Sequence, residues 1–170
     1  MKNIFLLTCA CLLVFSCSND DNNDNEEPKT SEIVGTWAVA SSESGSDANE
    51  AEASLKKIVE QLAGKGCPII TYTFDANGKL TVNNISEALS EEELQSGDVS
   101  CPASGAGSTA TGTYTFENGM LTMDFADDPA KNVSAAVTIS GNTMKATVND
   151  FFDELPEGVG GDTQVILTKS

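Results

Sequence analysis

Ile70-Thr71-Tyr72-Thr73-Phe74-Asp75-Ala76-Asn77-Gly78-Lys79-Leu80-Thr81-Val82-Asn83 is the stretch on which the fold turns. Apolar residues alternate with threonine or polar residues on both sides of Asp-Ala-Asn-Gly. A period of two puts one set of side chains on each face of a strand, and Asn-Gly supplies the positive φ that a hairpin turn needs. The pattern returns downstream. Thr113-Tyr114-Thr115-Phe116 echoes Thr71-Tyr72-Thr73-Phe74, and Glu117-Asn118-Gly119 leads into Met120–Phe125. A third hairpin reads as Val133–Ile139 and Thr143–Val148 around Ser140-Gly141-Asn142.

Outward from these hairpins, Ile33–Ser42 alternates with Ile33, Gly35, Trp37 and Val39 on one face, and Thr163–Thr168 makes a closing strand. The sum is one strand, three hairpins and one strand, or eight. Their connections are mostly tight, so the expected topology is all-β, an eight-stranded antiparallel meander. Closure into a barrel removes the exposed edges. A two-layer β-sandwich is the alternative. Between the first and second strands the period changes. Ala51, Leu55, Ile58, Val59 and Leu62 recur at three and four, predicting a helix over 49–63 that ends at Gly64 and Gly66. Its early acids (Asp47, Glu50, Glu52) and later lysines (Lys56, Lys57, Lys65) match the helix dipole. Residues 84–107 read as a connection holding one or two helical turns within 86–95, with Ser90 and Glu93 as a capping pair.

Composition excludes several chemistries. The 170 residues carry a net charge of −17 and no histidine; all nine basic residues are lysine. No Ser-His-Asp or Cys-His machinery, His-ligated zinc or arginine fork is available. The charge opposes nucleic-acid binding, which needs phosphates neutralised. The 39% hydrophobic content still provides a core.

The first sixteen residues have a lysine n-region and a short apolar run, too short to span a bilayer as a mature helix. Val14-Phe15-Ser16-Cys17 resembles the lipobox of bacterial lipoproteins, which implies cleavage before Cys17 and acylation of it; Phe15 departs from the small residue usual there. Residues 18–31 hold five acids, one lysine and no apolar side chain, a composition that does not fold by itself. The expected organisation is 1–16 signal peptide, 17–31 tether and 32–170 barrel domain. The acidic run resembles the surface-export signal of Bacteroidetes lipoproteins, so the expected location is the outer membrane, lipid-anchored, facing either outward or the periplasm. Beyond Cys17 the mature chain keeps Cys67 and Cys101. An even pair in an exported chain suggests a disulfide; two free thiols and a redox pair are the alternatives. Closing such a loop would stabilise the fold by roughly 3–4 kcal/mol.

Gly35-Thr36-Trp37 near the start of the first strand resembles the G-x-W signature of lipocalins and their calycin relatives. Together with the lipoprotein start, the acidic tether and the 72–78 hairpin, it resembles the lipocalin-like lipoproteins of gut Bacteroidetes. The resemblance implies that Gly35 permits a tight bend and Trp37 plugs one barrel end. Two features depart from the vertebrate lipocalins: the helix follows the first strand, and no arginine exists to pack on the tryptophan. The resemblance also implies a small hydrophobic ligand in the interior. The candidates for contacting it are Tyr72, Phe74, Leu80, Tyr114, Phe116, Met123, Phe125, Ile139 and Met144, with Val39, Val82, Leu121, Val137, Val148, Val165 and Leu167 on the same face.

An eight-stranded barrel either holds one ligand or is filled by its own side chains. The alternative function is a surface interaction or adhesion module, a filled barrel meeting protein or glycan through loops 41–50, 84–107 and 150–162. No enzyme is expected. Asp127/Asp128 and Asp153/Glu154 sit in turn-like segments, where solvated carboxylates are the default. No metal or cofactor is expected either, since Asp150, Asp153, Glu154 and Asp162 lack the framework of a calcium loop.

Overall fold

The computed structural model describes residues 30–44, 49–147 and 163–170. Cys17, the signal segment, most of the acidic tether, Val148 and the acids of 150–162 lie outside the described residues. Eight strands form one closed barrel in chain order. They are β1 (Gly35–Glu43), β2 (Ile70–Phe74), β3 (Lys79–Asn84), β4 (Ser108–Glu117), β5 (Met120–Asp124), β6 (Val133–Ser140), β7 (Thr143–Thr147) and β8 (Gln164–Lys169). Every pair is antiparallel, and β8 returns to β1 with Trp37 opposite Lys169 and Ser42 opposite Val165. That closing pair joins the first strand to the last and removes both sheet edges, so the barrel and not the sandwich is the architecture.

Connections alternate between the two barrel ends. At the turn end, Asn118 (φ 52°) and Gly119 (φ 77°) form the two-residue turn joining β4 to β5, as expected of Asn-Gly in a primed turn. Asn77-Gly78 sits instead in a four-residue loop. There the Asp75 carboxylate accepts from the backbone N–H groups of Asn77 (2.7 Å) and Lys79 (2.9 Å). These bonds hold the Asp75 carboxyl below its usual range, with the Lys79 N–H the largest cause.

The other end carries the two longer helices. α2 (Glu50–Gly64) follows β1, as its periodicity requires. Asn49 caps it through a reciprocal box: Glu52 N donates to Asn49 Oδ1 (3.0 Å) and Asn49 N to Glu52 Oε2 (3.1 Å). Its apolar face buries Ile58, Val59 and Leu62 in the same core as the barrel side chains, worth about 1.5–3 kcal/mol for each. No lysine lies in the last turn itself, but Lys65 stands at the C-cap, at the helix's negative end. Lys57 Nζ reaches Ser96 O (3.3 Å) and Lys65 Nζ reaches Val99 O. α3 (Glu91–Ser96) occupies the long β3–β4 connection and starts at the expected Ser90–Glu93 box.

The chain enters through one helical turn, α1 (Thr30–Ile33), which stands where the alternating pattern began. Ile33 is buried from that turn and not from β1. Further along β1 a bulge between Val39 and Ser41 shifts the register. Ser42 therefore points inward and Ser41 outward, where its hydroxyl donates to Glu60 Oε1 (2.9 Å).

Candidate functional site

The barrel interior is built from register. Near the turn end it is crowded with Trp37, Phe74, Leu80, Phe116, Leu121, Met144 and Leu167, all buried. Phe74 stacks near Tyr72 (centroids 6.3 Å apart) and meets Tyr114 edge-on at 4.8 Å. The Tyr114 hydroxyl donates to Asp75 O at 2.6 Å, and burial with the nearby Asp75 charge raises its pKa.

Trp37 is fully buried, and its Nε1–H donates to Ile33 O at 2.6 Å. Lys169 Nζ lies 5.1 Å from the centre of the indole and donates to Glu32 O at 3.1 Å. The cation expected to be missing from the tryptophan is thus a lysine on the last strand. Gly35 is explained by its backbone, with the lysine stem close above it. A Cβ built there would stand 2.6 Å from Lys169 Cε, at a φ of 133° that side chains rarely adopt. Lys169 continues the inward phase of Val165 and Leu167, and that phase was the signal for it in the sequence.

Toward the α2 end the inward residues shrink. One row across β1, β8 and β7 reads Ser42, Val165, Ala146 and runs on to Val137 in mid-β6, whose N–H donates to Gly119 O of the turn-end loop. On β4 the inward positions are Ala110 and Gly112, and on β6 Val133 and Ala135. Larger side chains enter here from Ile70, from Met123 opposite Val133, and from Phe125. The Phe125 ring packs where Gly112 has no side chain, since a Cβ there would lie 3.2 Å from Phe125 Cδ1 and 2.3 Å from Asp124 O. Of the expected ligand contacts, Tyr72, Phe74, Leu80, Tyr114, Phe116, Met123, Phe125 and Met144 are buried in one core, while Ile139 is half-buried.

Over this end lie α2 and the 85–101 segment, which bring Ile58, Val59, Leu62, Leu89 and Val99 into the core. Cys67 and Cys101 form a disulfide. Gln61 grips the same segment at both sides: its Nε2 donates to Gly97 O (2.9 Å) and its Oε1 accepts from Val99 N (3.4 Å). The Glu93 carboxylate accepts from the backbone N–H and hydroxyl of both Ser90 and Ser100. These bonds, led by the Ser90 N–H, lower its pKa to about 2. The opposite end of α2 is latched by Thr163 Oγ1, which donates to Glu52 Oε1 at 2.5 Å, both residues being buried. This latch had no signal beyond the capping-box spacing, which marks Glu52 as a cap partner without showing its burial.

Carboxylates do not converge among the described residues, which hold no cluster of three or more His, Cys, Asp or Glu suited to a metal. Asp128 pairs with Lys131 at the surface (3.5 Å). No described helix is long and apolar enough to cross a membrane.

No curated protein matches the chain. Among solved structures it is similar to a lipocalin-like protein from Bacteroides uniformis (12% identity, TM-score 0.46, covering 82% of this chain and 99% of that one). A second is an uncharacterized protein from Bacteroides eggerthii (10% identity, TM-score 0.45, covering 81% and 98%). The family model of the lipocalin-like domain matches residues 33–146, which include Gly35, Trp37 and strands β1 to β6. The chain belongs to the lipocalin-like domain family.

Proposed function

We propose that this protein is an outer-membrane lipoprotein, anchored through acyl chains on Cys17, whose barrel binds a small hydrophobic ligand at the cell envelope. The interior supports the binding half of this reading. Its inward face is apolar, filled with aromatics at the turn end; at the α2 end small residues on β1, β4, β6, β7 and β8 stand among larger ones such as Ile70 and Phe125. Small wall residues favour a guest there, and burial of its apolar surface would supply about 25 cal/mol per Å² before the costs of association. The reading involves no catalysis and no cofactor.

Uptake of the neutral fluorescent probe N-phenyl-1-naphthylamine by the mature chain tests the binding half. Saturable uptake supports it. Its absence would favour a filled barrel that meets partners through its loops. Metabolic labelling with an alkyne fatty acid tests the anchor: label on the wild type and none on Cys17→Ala supports it, and equal label on both would remove it.

A further inference from the structure

Ser42, Glu52 and Thr163 are the buried polar side chains among the described residues, and all three belong to the α2 end. Glu52 and Thr163 bond to each other. Ser42 differs: it is 3% exposed, and its Oγ is buried without a hydrogen-bond partner among the described residues. A buried orphan hydroxyl costs free energy, so such a group in a core calls for a reason. This one is also aimed. Strict alternation from Trp37 and Val39 would bring Ser41 inward, and the bulge brings Ser42 inward instead, opposite Val165 and beside the small row of Ala146 and Val137. Bulges commonly re-aim a side chain at a working site.

The surroundings select the charge of whatever meets this hydroxyl. Thr163 lies two residues from Val165 on β8, about 7 Å along the strand. It holds the Glu52 carboxyl, which accepts on both oxygens. The chain has no arginine or histidine, and every described lysine is exposed or half-buried. An anionic head would enter a corner with an acidic neighbour and no buried cation.

We infer that Ser42 anchors the head of a neutral amphiphile, an apolar molecule with one hydroxyl or amide group, in the α2-end half of the barrel. This rests on the proposed binding of a hydrophobic ligand. Ser42 Oγ bonds to the head, and the tail runs among the small side chains. Neutral heads are taken in preference to carboxylates of the same chain length.

The test uses the mature chain 17–170 with Cys17→Ser, so that no acyl chain competes. Bound N-phenyl-1-naphthylamine is displaced with decan-1-ol, decanamide or sodium decanoate at pH 7.4. The alcohol and amide are expected to displace it at concentrations at least tenfold below decanoate. Ser42→Ala is expected to weaken decan-1-ol five- to tenfold, to change the probe's own affinity less than twofold, and to keep or raise the melting temperature. Ser41→Ala, on the outer face, is expected to leave the decan-1-ol affinity unchanged. If the probe binds and decanoate competes equally, or Ser42→Ala matches the wild type, the Ser42 inference is overturned and ligand binding stands. If neither probe nor decan-1-ol binds, both fall.

Discussion

Trp37→Phe isolates the joint that closes the barrel at the turn end. The indole is fully buried, so the smaller ring leaves part of its volume empty. The substitution also removes the donor to Ile33 O, a 2.6 Å buried bond, and leaves that carbonyl without it. An orphaned buried acceptor costs about 1–3 kcal/mol. Phenylalanine keeps a ring beneath Lys169, so most of the cation–ring attraction, about 0.5–1 kcal/mol at a half-exposed lysine, survives. Trp37→Phe should therefore lose about 2–3 kcal/mol, and Trp37→Ala about 3–5 kcal/mol. Lys169→Met keeps the stem over Gly35 and removes only the charge and its bond to Glu32 O. Combined with Trp37→Ala in a double-mutant cycle, it should show a coupling of about 0.5–1 kcal/mol. The assay is urea denaturation followed by far-ultraviolet circular dichroism, since the only tryptophan is the residue changed. A loss below 1 kcal/mol for Trp37→Phe, or additive effects in the cycle, would refute the view that Trp37 ties α1, β1 and β8 into one joint.

Other perturbations follow from the same geometry. Replacing Cys67 and Cys101 together by alanine opens a loop with a sequence separation of 34 and should cost about 3–4 kcal/mol by denaturation; a loss under 1 kcal/mol would contradict the loop-entropy argument. Gly112→Ala drives a Cβ to 2.3 Å from Asp124 O and should lose about 1–3 kcal/mol, with chemical-shift changes in β4, β5 and Phe125; a neutral result would mean that β4 and β5 do not approach this closely. Glu93 has a folded pKa of about 2 against an ordinary value of 4.5. Its contribution is therefore fully present above about pH 4.5 and is lost as pH falls through about 2. The stability gap between wild type and Glu93→Gln should be flat from pH 7 to 5 and should close toward pH 2; a gap that opens on acidification would reverse the sign.

Much of this fold is legible in the chain because hairpins announce themselves locally. Tyr72, Phe74, Leu80 and Val82 keep a strict period of two around a turn with Asn-Gly, and α2 switches to three and four. The Ser90–Glu93 box is readable from spacing alone. Closure is not local: it depends on β1 meeting β8 from opposite ends of the chain, so a sandwich fitted the same pattern. The inward turn of Ser42 was hidden because a bulge inserts one residue without any composition mark. Lys169 reads as an ordinary solvated charge until its phase with Val165 and Leu167 is counted. Val99 is a single apolar residue in a Gly/Ser-rich run, and its burial follows from the disulfide and the Gln61 clamp and not from periodicity. Ser90, Cys67 and Trp37 were found because their chemistry is strong on its own; Glu52 and Ser42 matter through neighbours distant in sequence.

The most direct test of the central claim is native mass spectrometry of the protein purified from its own host without detergent, before and after extraction with organic solvent. The account predicts a bound species of discrete mass that extraction removes and that carries a neutral head. An unliganded mass in both samples, together with no uptake of N-phenyl-1-naphthylamine or decan-1-ol, would contradict it and leave a barrel filled by its own side chains.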